Sequence, residues 1–124
     1  AFIVDKKISA DDPEQVQELW VVNNDGTDPI KLYVSQGRID HMSWNAKGTM
    51  IAFDETYNWI FTVPTLTNTK VVHAIGGEVK ELLPYRFYAK YPAWSPDGQV
   101  LSYVGWNKFW LKTEGARIWA AKIE

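Results

Sequence analysis

The stretch YPAWSPDGQVLSY, from Tyr91 to Tyr103, combines aromatic residues, a turn sequence and an apolar pair in one short segment. Its turn chemistry is specific. Pro96 restricts φ, the Asp97 side chain accepts bonds from nearby backbone amides, and Gly98 adopts a positive φ at little steric cost. Short apolar segments on both sides of such a turn are typical of strands. The stretch therefore predicts a tight antiparallel hairpin.

A weaker copy of this pattern lies upstream, with the sequence HMSWNAKGTMIAF at residues 41–53. In both copies a tryptophan, Trp44 or Trp94, stands four residues before a glycine and nine before an aromatic residue. The upstream copy keeps the glycine but lacks the proline and the aspartate. Self-similarity at this spacing indicates a repeat architecture. We expect both tryptophans to end a strand and pack against the neighbouring layer, and Phe53 and Tyr103 to return the second strand to the core.

The composition is that of one folded domain. The chain has 124 residues, of which 46% are hydrophobic, and a net charge of −2 with acidic and basic residues interspersed. Dispersed charge argues against a nucleic-acid surface. No apolar run approaches the roughly 18–20 residues that span a bilayer, and the absence of cysteine excludes disulfides and thiolate metal sites. We therefore expect neither nucleic-acid binding nor membrane insertion.

Strand patterns dominate the rest of the chain, and no segment of about ten residues shows a helical stripe. Short strands separated by Gly-, Asn- and Asp-containing turns predict an all-β fold. Residues 1–124 are expected to form a single partial domain, with an incomplete unit at about 1–38, a complete four-stranded unit at 39–79 and an incomplete unit at 80–124. The strands expected in the complete unit are IDHMSW, MIAFDE, NWIFTV and KVVHAI.

The segment YPAWSPDGQVLSYV resembles the Trp-Ser-Pro-Asp-Gly signature of TolB-type, WD-like β-propeller repeats, and LWVVNNDGTDPIKLY is similar to the third-to-fourth strand portion of the same repeat. The resemblance implies antiparallel four-stranded blades around a central channel. The chain supplies about two and a half blades of such a partial propeller, which leaves the ring open at both ends. We therefore expect a fragment of a larger protein or an assembly of copies. The family resemblance also implies a periplasmic or secreted location.

The longest connections between strands are expected on one face, because second-to-third connections and connections between units emerge together in a propeller. They span residues 6–17, 76–90 and 106–115. Long loops on a rigid scaffold concentrate binding residues, and aromatic residues with arginine are typical of protein contact surfaces. The alternative is that these aromatics pack under their own loops or against missing blades. The partner-binding candidates are Trp106, Phe109, Trp110, Arg86, Tyr88 and Tyr57.

The sequence predicts no catalytic residue, metal or cofactor. The two histidines, His41 and His73, lie in expected strands, where a structural role is favoured. The Ser95 hydroxyl is expected to bond the backbone of its turn, and WSPDG is not a G-x-S-x-G nucleophile elbow. Asp54 and Glu55 are adjacent, so a strand places them on opposite faces and not as an acid/base pair.

Three functions remain open from the sequence. The first is a non-enzymatic, TolB-like interaction scaffold that binds a protein or peptide partner through the long-loop face, its ring completed by the rest of its own propeller or by copies of itself. The second is an accessory propeller of a serine peptidase of the prolyl-oligopeptidase or dipeptidyl-peptidase type, with catalysis in a separate domain. The third is a carbohydrate-binding propeller with aromatic stacking platforms. Fold resemblance alone does not choose among them.

Overall fold

A computed structural model describes residues 1–7, 15–57, 66–82, 88–106 and 117–123. In these ranges the regular secondary structure is β-strand, with no helix, so the all-β prediction is confirmed. The strands are β1 (Phe2–Lys7), β2 (Gln15–Val21), β3 (Ile30–Ser35), β4 (Arg38–Trp44), β5 (Met50–Tyr57), β6 (Leu66–His73), β7 (Lys80–Glu81), β8 (Tyr88–Trp94), β9 (Val100–Trp106) and β10 (Arg117–Lys122).

The strands pair in chain order as three antiparallel series. The first series is the sheet β1–β2–β3. The middle series is β4–β5–β6–β7, and the last series is β8–β9–β10. One parallel pair, Thr67 with Tyr88, links β6 to β8. Neighbouring antiparallel strands need no crossover connection, so each series can follow the order of the sequence.

The middle series differs from the prediction in its second half. The segment NWIFTV, the expected third strand, lies outside the described residues. The expected fourth strand, KVVHAI, begins at Lys70 inside β6, and β6 pairs directly with β5 and is therefore third. The fourth strand is the short β7, which pairs with Lys70 and Val71 and interrupts the expected long connection 76–90. Periodicity identified KVVHAI as a strand, but pairing order depends on tertiary contacts and does not follow from the period.

The two hairpins β4–β5 and β8–β9 have the same geometry. Trp44 pairs with Ile51, and Trp94 pairs with Leu101, at equivalent ends of the two hairpins. Both hairpins also contain a register shift on the first strand, between residues 39 and 42 and between residues 90 and 93. The structure therefore preserves the sequence repeat down to the position of an irregularity.

The turns of these hairpins close in the same way. Gly48 N donates to Asn45 O over 3.0 Å, and Gly98 N donates to Ser95 O over 2.9 Å. Both glycines have positive φ, 68° and 73°, as the turn chemistry predicted. In the second turn the Asp97 carboxylate accepts bonds from the Ser95 hydroxyl and from a backbone amide, and Ser95 Oγ accepts Val100 N. The expected role of Ser95 in its turn is thus confirmed.

Strand β5 is buried on both faces, since every residue from 51 to 56 is buried. Ile51 and Phe53 belong to a hydrophobic core shared with the first series. Ala52, on the opposite face, belongs to a second core with Leu101 of the last series. The middle series therefore lies between the other two. Phe53 and Tyr103 are almost completely buried, as the repeat predicted.

The two repeat tryptophans lie at equivalent backbone positions but have different surroundings. Trp94 packs against the second core, and its Nε1 donates to Ser43 O on β4 over 2.9 Å. This confirms that Trp94 contacts the neighbouring layer. Trp44 is 41% exposed and lies outside both cores, so the same prediction for Trp44 is wrong. The physical reason is that the three strands described in the first series do not cover the Trp44 side chain.

Candidate functional site

The strands end at two opposite edges of the sheets. Antiparallel order sends the short turns, such as residues 45–49 and 95–99, to one edge. The connections from β1 to β2, β5 to β6 and β9 to β10 leave from the other edge. Ile39 N donates to Gln17 Oε1 over 2.7 Å, which holds β2 against β4 near this second edge. We call it the loop edge, and its described strand ends are at Lys7, Gln15, residues 35–38, Tyr57, Leu66, Tyr88, Trp106 and Arg117.

Three of the six candidate residues lie near one another on the loop edge. Tyr88 pairs directly with Trp106 across β8 and β9. Tyr57 pairs with Leu66 at the start of β6, and the next residue, Thr67, pairs with Tyr88. The backbones of Tyr57, Tyr88 and Trp106 thus span four neighbouring strands at one level. Arg86, Phe109 and Trp110 lie outside the described residues.

Tyr57 belongs to a polar cluster that the sequence did not reveal. Glu55 is fully buried and accepts hydrogen bonds at Oε1 from the Tyr57 hydroxyl and from Lys70 Nζ, the latter over 2.7 Å. Lys70 Nζ also donates to the Tyr33 hydroxyl over 2.9 Å. The Lys70 ammonium lies over the Tyr33 and Tyr57 rings, 5.1 and 5.8 Å from their centres. The cluster joins β3, β5 and β6 just below the loop edge.

The protonation states of this cluster are mutually stabilised. Burial alone would raise the pKa of Glu55, but the hydrogen bonds from Lys70 and the tyrosines outweigh it, and the pKa is lowered. Burial alone would lower the pKa of Lys70, but the bond to Glu55 raises it. Burial and the Glu55 carboxylate raise the pKa of Tyr33 and Tyr57 well above the usual range. At neutral pH the cluster is one carboxylate, one ammonium and two neutral phenols.

The other carboxylate of β5, Asp54, faces the opposite side. It is fully buried and accepts backbone amides from His41 and Tyr91, both over 3.0 Å. Its Oδ2 also lies 2.7 Å from His41 Nδ1. Asp54 therefore ties β4 to β8, and the His41 ring takes part in this contact. Since Glu55 faces Tyr33 and Asp54 faces Tyr91, the prediction that they lie on opposite faces of the strand is confirmed.

The rings of His41 and Tyr91 lie against each other, 4.3 Å between centres. Tyr91 sits at the register shift of β8 with a φ of 57°, an unusual conformation for a residue with a side chain. Its amide reaches Asp54 in that conformation. Tyr91 therefore has a strained backbone conformation where the middle and last series meet. Its hydrogen bond to Asp54 and its ring contact with His41 both form in that conformation.

Two ion pairs lie near the start of β4, one with an exposed arginine and one with a partly buried lysine. Arg38 Nε lies 2.7 Å from Asp40, and Lys90 Nζ of β8 lies 3.6 Å from the same carboxylate. The hydroxyl of Thr56 lies 3.4 Å from Asp40 Oδ2. Charged side chains of both signs therefore lie on β4 and β8 near the loop edge.

A small cavity of about 250 Å³ lies away from the candidate residues. Its apolar floor includes Met50 and Val71, and its rim includes His73, Glu78 and Lys122. Its mixed charges indicate no particular ligand. Over the described parts of the chain, no group of three His, Cys, Asp or Glu side chains is arranged to hold a metal ion.

No helix in the described ranges is long and apolar enough to cross a membrane. No protein-family model matches the chain, and no curated protein matches it significantly. The likeness to TolB-type repeats therefore stays a prediction.

Proposed function

We propose that the chain is part of a TolB-like β-propeller and acts as a non-enzymatic scaffold that binds a protein or peptide partner through its loop edge. The repeated hairpins, the four-stranded middle series and the stacking of successive series on the two faces of β5 support the propeller interpretation. In this proposal the series are blades, and the family resemblance suggests a periplasmic or secreted protein.

One observation supports the binding site most directly: Tyr57, Tyr88 and Trp106 occupy neighbouring positions on the loop edge. Tyrosine and tryptophan bury large areas at low conformational entropy cost and keep a polar group for hydrogen bonding. The buried Glu55 and Lys70 hold the Tyr57 hydroxyl, which positions that side chain in advance of binding. A preorganised tyrosine beside two further aromatic positions favours an extended peptide or a protein loop as the partner.

The proposal is tested with peptides selected from a random linear library on the wild-type chain. We expect Trp106→Ala to weaken the selected peptides by about tenfold or more, as a contact residue near the centre of an interface does. Trp44→Ala is the matched control, because Trp44 is an exposed tryptophan at the opposite edge. Isothermal titration calorimetry gives both affinities. Peptides that lose affinity with Trp44→Ala and keep it with Trp106→Ala would contradict the proposed site.

A carbohydrate ligand is the second candidate, because the adjacent Tyr88 and Trp106 also suit a stacking platform. Glycan-array binding that is lost in Trp106→Ala and kept in Trp44→Ala would favour it. Selection of peptides whose binding is lost in Trp106→Ala and kept in Trp44→Ala favours the protein-binding scaffold.

A further inference from the structure

The outward face of the last series is partly exposed and carries apolar residues, with Lys122 at its far end. Ile118 of β10 is 82% exposed and pairs with Val104 of β9. The paired residues Ala120 and Ser102 continue this face, and Ala93 of β8 pairs with Ser102 on the same side. The opposite side of β9 is different, because Leu101 and Tyr103 are buried there. We call the exposed side the tail face, formed by Ala93, Ser102, Val104, Ile118 and Ala120.

The corresponding face of the middle series is covered. Ser102 has the same place in its hairpin as Ala52, because Ala93 pairs with Ser102 as Ser43 pairs with Ala52. Ala52 is fully buried in a core with Leu101 and with the partly buried Trp94 of the following series. One series thus covers this face of the preceding one inside the chain. At the tail face the equivalent surface is exposed.

The first series has an apolar face at the other end of the stack. Phe2 stacks on Trp20 with ring centres 6.5 Å apart, and both side chains point away from the core that Leu19 enters. Val34, on the same outward side, is 41% exposed. Lys31 lies over the Trp20 ring and pairs with Glu18. We call this the head face, formed by Phe2, Trp20, Lys31 and Val34.

We infer that the tail face of one chain docks the head face of a second copy, so that copies associate head to tail by continuing the stacking seen inside the chain. The inference rests on the stacked array within the proposed function and not on peptide binding at the loop edge. An interface between two different faces is heterologous, and it closes into a ring or continues as an open assembly according to its rotation. Apolar residues from both faces become buried, as Ala52 and Leu101 are within one chain.

Light scattering after size-exclusion chromatography, over a range of concentrations, tests the association. The wild-type chain is expected to exceed its monomer mass of 14.2 kDa at high concentration. Ile118→Lys is expected to weaken association by about tenfold or more, since docking would desolvate the new charge. Ile75→Lys is the control, because Ile75 is 87% exposed in a turn outside both faces. Ala120→Lys is a second tail variant should Ile118→Lys not fold, as judged by circular dichroism.

A mixing experiment tests the head-to-tail geometry. Ile118→Lys keeps an intact head face, and Val34→Lys keeps an intact tail face, so each variant alone is expected to associate about tenfold or more weakly than the wild-type chain. An equimolar mixture has one intact pair of faces and is expected to form dimers that do not extend further. A wild-type monomer at every concentration, a mixture without dimer, or equal loss with Ile75→Lys would overturn the inference. Ala120→Lys is expected to keep its affinity for the loop-edge peptides, because Ala120 lies inside β10 and away from the loop edge, which separates this result from failure of the loop-edge proposal.

Discussion

At the scale of single residues, the main feature is a pair of adjacent buried carboxylates on β5. The buried carboxylate of Asp54 contacts two backbone amides and the His41 ring in place of water. The buried carboxylate of Glu55 accepts hydrogen bonds from Lys70 and Tyr57. Burying a carboxylate is unfavourable unless hydrogen bonds or an opposite charge replace its water. Each carboxylate consequently fixes the position of its partners, and Glu55 fixes those nearest the loop edge.

Lys70→Met is expected to lower the free energy of unfolding by about 3–5 kcal/mol, because it leaves the Glu55 charge buried without its cation. The side chains of Glu55 and Lys70 are 0% and 15% exposed, so water replaces little of the lost interaction. Urea denaturation followed by tryptophan fluorescence measures the change. Arg38→Ala breaks a pair whose arginine is 57% exposed, and a loss of no more than about 1 kcal/mol is expected. Equal losses in the two variants would refute this account of Glu55.

The same cluster predicts how stability depends on pH. The pKa of Glu55 is lowered from 4.5, so its contribution is complete above that value and is lost as pH falls through the lower folded-state pKa. The pKa of Lys70 is raised from 10.5, so its contribution is present below that value and is lost as pH rises through the higher folded-state pKa. The pKa values of the two tyrosines are raised from 10.0, so their contribution to stability is also lost as the pH becomes alkaline.

We therefore expect a stability plateau at intermediate pH, with losses below about pH 4.5 and above about pH 10. Thermal unfolding across this range measures it. The double variant Glu55→Gln with Lys70→Met should flatten both ends of the profile. An unchanged profile in that variant would show that other groups control the pH dependence.

At the scale of elements, the turns and the short connection from β3 to β4 determine how strands meet. Most hairpin turns here need only a glycine with positive φ, but Gly37 has a different requirement. A Cβ at Gly37 would collide with the backbone carbonyl of Thr56 and approach the Tyr57 ring. Ser35 Oγ accepts Gly37 N over 3.0 Å, which keeps the connection tight. Close approach of this connection to β5 therefore helps to place Tyr57 at the loop edge.

Gly37→Ala is expected to destabilise the fold by about 1–3 kcal/mol, because an extra methyl group would push against the backbone of a central strand. Gln36→Ala is the control, since this neighbouring residue is exposed. Urea denaturation of both variants gives the comparison. A Gly37→Ala chain as stable as the control would mean that the connection moves freely away from β5.

At the scale of the whole molecule, three stacked series depend on each other for burial. The core with Leu19 and Phe53 joins the first and middle series, and the core with Ala52 and Leu101 joins the middle and last series. Strand β5 contributes to both, so loss of either neighbour would expose one of its faces. Stability should therefore depend on contacts between series as well as on hairpin formation.

The two repeat tryptophans test this dependence. Trp94→Ala is expected to lower the free energy of unfolding by roughly 3 kcal/mol, because it removes packing against the second core and the bond to Ser43 O. Trp44→Ala, at the equivalent backbone position but 41% exposed, is expected to lower it by less than about 1 kcal/mol. Similar losses would mean that the hairpins, and not the stacking of series, determine the effect of these residues.

Local sequence was enough to predict the all-β class, the hairpin turns and the burial of Phe53 and Tyr103, because strand period and turn chemistry involve residues close in the chain. It placed Tyr57, Tyr88 and Trp106 among the candidates, and pairing between strands brings those three together. The positions of β6 and β7 as third and fourth strands were not predictable. A strand with alternating apolar and polar residues can pair with any of several neighbours without changing which side chains are buried.

The sequence by itself determined the elements: short strands, glycine turns and a repeat whose two hairpins share their register. Only the tertiary structure decided which of two equivalent tryptophans is buried, which face of β5 each carboxylate meets, and that Lys70 of β6 neutralises Glu55. The physical reason is the separation along the chain over which each kind of interaction acts. Turn and strand preferences act between neighbours in the chain, whereas burial and charge compensation depend on which distant side chains the stacked strands bring into contact.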